Sequence, residues 1–182
     1  EYTLMLRSLL QNETFKNKFV SRFADLLNTR YSSKTVLEKL NSFQAMYTPY
    51  IEEHLKRWNL HRGKIENWMA QVDVMKNYAI HRPHYMRNHI CKYFGLDTVE
   101  FYLTVGEGGK VRVNTIELDS NDTTWYGIYF KGIPVELEAI PQEGYQFVGW
   151  KGTFESENPS LTEYLTTTTS LHAIFKKADE IS

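Results

Sequence analysis

Five of the six histidines lie in the first half of the chain, and His81 and His84 stand three residues apart, a spacing that could bring two imidazoles to one metal ion. Pro83 stands between them and disturbs the helical register, and His54, His61 and His89 hold no fixed spacing from the pair. A structural or surface role is therefore expected for the histidines, and no metal site. Cys91 is the sole cysteine. It excludes an internal disulfide and a thiolate zinc site, and nothing beside it suggests an activated nucleophile. No Gly-x-Ser-x-Gly elbow is present. Gly106-Glu107-Gly108-Gly109 lacks the Gly-Lys-Ser/Thr ending of a phosphate loop and reads as a hairpin turn. Asp119 and Asp122 lack the spaced oxygens and closing Glu of a calcium loop. Trp125, Tyr126 and Tyr129 are the one candidate ligand surface, a sugar-stacking platform, although aromatics in so small a module more often build its core.

The elements that would carry these residues divide the chain. Residues 1–97 hold 15 Lys+Arg against 9 Asp+Glu, a balance of +6; residues 98–182 hold 6 against 13, a balance of −7. Opposite charge predicts two domains, 1–97 and 98–182. The basic half contains Arg57, Arg82, Arg87 and Lys92 but no nucleic-acid motif, so a solvated helix face is expected and no nucleic-acid partner. No run approaches the ~20 apolar residues of a membrane span. The chain begins at Glu1 with neither Met nor signal peptide. It is expected to be the interior or C-terminal piece of a longer protein.

In the first half apolar residues recur at the helical period. Asn12 caps a helix with Phe15, Phe19, Phe23, Leu26 and Leu27 on one stripe, ending at Asn28-Thr29. Ser32 or Ser33 caps a second, facing inward with Val36, Leu37, Leu40, Phe43 and Tyr47. Pro49 is expected to open a third helix, carrying Ile51, Leu55 and Trp58, and Gly63 to break the chain. A helix with Ile65, Trp68, Val72, Met75 and Ala79 follows, and Arg82-Pro83 begins another that stops at Gly95. Five or six helices are predicted.

From Thr98 the period becomes two. Strands are predicted at 101–105, 110–114, 126–130, 135–139, 145–150 and 171–175, with a polar tip at 119–122. The fold class is α+β as two segregated domains, an all-α helical subdomain followed by a small antiparallel β-module.

Two family resemblances fit this division. Phe23-Ala24-Asp25-Leu26-Leu27-Asn28-Thr29, His54 with Arg57-Trp58, the Trp68 helix and Arg82-Pro83 resemble the C-terminal portion of the spore-coat protein H (CotH) kinase-like family. Gly108-Gly109-Lys110-Val111, then Gly132, Val135, Leu137, Ala139 and Pro141, resemble the InlB-type B-repeat family. That match continues through Gly144-Tyr145-x-Phe147-x-Gly149-Trp150 and Leu171-x-Ala173-x-Phe175. The first resemblance implies an exported, atypical protein kinase using ATP and a divalent metal, with its lysine and metal aspartates upstream of the matched segment. Asp25 and Asp73 stand in no aspartate pair, so no catalytic, cofactor or metal residue is carried over. The expectation is a non-catalytic fragment of a bacterial surface or extracellular protein. Its partners would be the upstream kinase-like region of the same protein and a protein or glycan at the cell surface. The alternative is a carbohydrate-binding or adhesion module.

Overall fold

The computed structural model describes residues 3–59, 64–120 and 124–180. Among these residues four helices come first: α1 (Leu4–Leu9), α2 (Glu13–Asn28), α3 (Ser33–Trp58) and α4 (Ile65–Phe94). Eight strands follow: β1 (Thr98–Val105), β2 (Gly109–Val113), β3 (Ile116–Asp119), β4 (Thr124–Phe130), β5 (Pro134–Pro141), β6 (Tyr145–Gly152), β7 (Ser160–Tyr164) and β8 (Thr169–Lys177). The chain forms two compact units, Thr29–His89 and the combination of Glu1–Asn28 with Ile90–Ser182.

The helix ends follow their caps. Asn12 Oδ1 accepts the Phe15 N–H at 3.0 Å, and Ser32 Oγ accepts that of Thr35 at 3.2 Å. Gly95, at φ +68°, ends α4, and the Leu96 N–H returns to the Cys91 carbonyl. The helix count differs from the expectation, because Pro49 lies inside α3 and Pro83 inside α4. A helix-interior proline costs about 3 kcal/mol, yet the apolar stripe runs through both. Val36, Leu40, Phe43, Tyr47, Ile51, Leu55 and Trp58 keep one period, as do Ile65, Trp68, Val72, Ala79, Pro83, Met86 and Ile90. Pro83 is itself buried on that stripe. The expected break at Gly63 lies outside the described residues.

Within Thr29–His89, α3 and the facing part of α4 run antiparallel. Ser33 Oγ donates to the Ile80 carbonyl at 2.9 Å, and Gln44 Nε2 to Met69 Sδ at 3.2 Å. Leu55, Val72 and Ala79 are buried. Phe43, Tyr47, Trp58 and Met75, expected inward, are exposed.

In the other unit the strands form two four-stranded sheets, ordered β4-β1-β8-β6 and β3-β2-β5-β7. All pairs are antiparallel except β1 with β8, which is parallel. The Gly106–Gly109 run does not close a hairpin, since β1 and β2 lie in different sheets and the run carries the chain between them. Its glycines give room to rings: a Cβ at Gly108 would fall on Tyr145, and one at Gly109 on Phe175. The inward residues Phe101, Leu103, Val111, Val113, Leu137, Trp150, Leu171 and Ala173 make the core. Strands β3 and β7 are short, and neither is expected from the period alone.

Candidate functional site

Helix α2 has two working faces. Phe15, Phe19 and Phe23 stack along one, with ring centroids 6.2 and 5.0 Å apart, and Phe19 meets Phe94 at 6.4 Å. Val20, Ala24 and Leu27 are buried on the other, toward β4 and β5. Spacings of four and three put them on one stripe. Small or branched residues there bring the helix backbone close to the sheet.

Asp25, next to Ala24 but turned about 100° round the helix from it, has 1% of its surface exposed. Its Oδ1 accepts from Asn114 Nδ2 at 3.1 Å and from the Tyr129 hydroxyl at 3.4 Å. Its Oδ2 accepts from the Thr115 N–H at 3.1 Å and the Thr115 hydroxyl at 2.5 Å. A buried carboxylate is tolerated only when its lone pairs are met this fully. Thr115 Oγ1 accepts in turn from the Arg22 guanidinium at 2.5 Å. The receiving turn is shaped for the task. Asn114 adopts φ +49°, a region Asn tolerates, and its N–H and Oδ1 both bond the Glu136 backbone at 2.8 Å. Desolvation, then the Asp25 charge, pushes the Tyr129 phenol well above its ordinary value and keeps it a neutral donor.

Two further bonds lock the helix. Ser21 Oγ donates to the Pro134 carbonyl at 3.2 Å. Asn28 bonds Ile128 twice at 3.0 Å, Nδ2 to the carbonyl and Oδ1 from the N–H. Its amide thus stands in for a neighbouring strand at the free edge of β4. Beside these contacts lies a cleft of about 430 Å³, with Asn17, Lys18 and Arg22 on its helix wall and Thr115, Pro134 and Glu136 opposite. The cluster holds helix and sheet together.

The expected ligand surface is only partly a surface. Tyr129 is 1% exposed and belongs to the core, with Phe101 and half-buried Trp125 at 6.0 and 6.2 Å from its ring. Tyr126 lies on the opposite face of β4, 44% exposed, beside Tyr102. Strand alternation separates these residues, so they form no common platform. Asn28, read from sequence as a helix end, and Asn114, read as part of a strand, carry much of the junction. A helix-ending Asn and an Asn after an alternating run were the available signals.

The remaining candidates are dispersed. His81 and His84 share the continuous α4, and His84 Nε2 bonds Asn88 Nδ2 at 2.9 Å. Arg57 stacks over Trp58 and Arg82 over Tyr78. Asp119 pairs with Lys110 at 3.1 Å, while His61 and Asp122 lie outside the described residues. Desolvation, with the Asp97 charge second, raises the Cys91 thiol and disfavours its thiolate. Among the described residues no three His, Cys, Asp or Glu side chains could share a metal ion, and no helix is long and apolar enough to cross a membrane. Neither Asp25 nor Asp73 stands in a carboxylate cluster that could share a metal ion. Asp25 is spent on four donors, and Asp73 lies exposed within α4.

Two family models match the chain, each over less than half of it. Residues 1–86 match the CotH kinase protein family, and residues 103–179 match the divergent InlB B-repeat domain, in the order the sequence motifs implied. No curated protein and no solved structure matches the chain. The helix carrying Asp25 therefore lies in the CotH match, and its partners Asn114, Thr115 and Tyr129 lie in the B-repeat match.

Proposed function

We propose that this chain is a non-catalytic portion of an exported bacterial CotH-like protein, in which the B-repeat is a spacer or interaction module built directly onto a CotH helix. The observation that carries the reading is Asp25. It is a buried carboxylate of the CotH-matched segment, and it serves the junction with the β-module. The nucleotide-handling residues of such a protein would then lie elsewhere in it. The exposed apolar side chains of the α3–α4 hairpin, Phe43, Met46, Tyr47, Tyr50, Val74 and Tyr78 among them, support packing against that kinase-like region. Location at the cell surface or outside the cell is part of the proposal, supported by the B-repeat match. Calorimetric titration of the chain with magnesium-ATP tests it. No binding heat is expected, and tight magnesium-dependent binding would overturn the non-catalytic reading.

A further inference from the structure

The outer face of the β4-β1-β8-β6 sheet carries a built aromatic site that the core does not need. Strand alternation turns Glu100, Tyr102 and Thr104 of β1 outward, next to Thr124 and Tyr126 of β4 and Ser170 and His172 of β8. Tyr102 is the direct cross-strand partner of Tyr126 on one side and of Ser170 on the other. The two tyrosine rings lie 5.1 Å apart, tilted by 42°, with Tyr102 half-buried and Tyr126 exposed. Both hydroxyls donate to one carboxylate, Tyr102 to Glu100 Oε2 at 3.3 Å and Tyr126 to Oε1 at 3.2 Å. In the next row, Thr104 and Thr124 share a hydrogen bond of 3.1 Å, and Thr104 faces His172.

A tyrosine pair across a sheet stabilises it by only about 0.2–1 kcal/mol, and that alone explains neither the shared acid nor the ring of hydroxyls. Rings fixed by a common acceptor lose little conformational freedom when a ligand stacks on them. Each Glu100 oxygen, bonded once, keeps acceptor capacity for a ligand hydroxyl. Flat apolar C–H faces ringed by hydroxyl donors and acceptors are the surface that matches this face, and that is the surface of a hexose. A peptide would more naturally seek an apolar groove or an unpaired strand edge.

We propose that Tyr102, Tyr126 and Glu100 form a binding platform for a neutral polysaccharide, the rings stacking on a sugar face and Glu100 accepting a sugar hydroxyl. The site rests on the interaction-module reading of the B-repeat and gives it a ligand class. Of the expected Trp125, Tyr126 and Tyr129 surface it keeps Tyr126 and leaves out core Tyr129 and half-buried Trp125 on the other face of β4.

The test is depletion of the full chain from solution by insoluble cellulose, chitin and β-1,3-glucan. Retention on at least one is expected, weakened roughly tenfold by Tyr126→Ala, the loss of about 1.4 kcal/mol of stacking. Tyr126→Phe, which keeps the ring, and Glu100→Gln, which keeps the shape, are each expected to lose severalfold less than Tyr126→Ala. Melting curves of all variants control for folding, and if Tyr126→Ala unfolds, Glu100→Gln decides. No retention on any of the three polymers overturns the platform while leaving the spacer reading standing. Retention unchanged in Tyr126→Ala and Glu100→Gln overturns this face and keeps an interaction module elsewhere.

Discussion

Asp25 and Thr115 are 90 residues apart in sequence, yet one carboxylate oxygen of Asp25 accepts both the backbone N–H and the hydroxyl of Thr115, at 3.1 and 2.5 Å. This contact joins a helix of the CotH match to a turn of the B-repeat match within one compact unit.

Asp25→Ala should be the most damaging polar substitution in the unit. It leaves the Thr115 N–H and the Asn114 amide without their acceptor, and a loss of about 3 kcal/mol is expected. Asp25→Asn keeps shape and one acceptor and should cost about half as much. Urea unfolding midpoints at constant m-value check both.

Alkaline pH should loosen the same junction. The Tyr129 phenol is raised above the ordinary 10.0, first by desolvation and then by Asp25. Its stabilisation is complete below that ordinary value, where both states hold the proton. It is lost as pH rises through the folded value, because the unfolded chain ionises first. Tyr129→Phe should show a shallower alkaline fall in stability than the unmodified protein, read from melts taken at rising pH.

Asn28→Ala should uncover the β4 edge. Two hydrogen bonds to Ile128 disappear, at a cost of about 1–2 kcal/mol. Sedimentation should also reveal self-association, since a bare strand edge pairs with other chains.

Glycine substitutions separate steric from conformational causes. Gly109 is not in the left-handed region, but a Cβ there meets the Phe175 ring, so Gly109→Ala should cost about 2–3 kcal/mol by overpacking. Gly132, at φ +73° with open space around its Cβ position, should lose only about 1 kcal/mol on Gly132→Ala. Melting temperatures of the two variants give the order.

Much of the fold was legible because its signals are local. Asn12, Ser32 and Gly95 mark helix ends through bonds made within a few residues, and the change of period at Thr98 marks the start of the sheets. Pro49 and Pro83 misled because a single residue's propensity was weighed against an apolar stripe that outlasts it. The Gly106–Gly109 run misled for a different reason. Glycines permit a tight turn, but here they make room for Tyr145 and Phe175, which arrive from distant strands. The junction was hidden by its nature. Charge and period report where secondary structure changes, not which helix packs on which sheet. Asp25, set between Ala24 and Leu26, was the one local hint, and its partners lie 89 to 104 residues away.

Native-state hydrogen exchange tests most directly that α2 and the B-repeat fold as one unit. The buried amides of Val20 and Ala24 in α2 are predicted to open with the same free energy, and the same urea dependence, as those of Phe101 and Leu103 in β1. Exchange of the α2 amides through a separate, low-energy opening while the β1 amides stay protected would contradict the account.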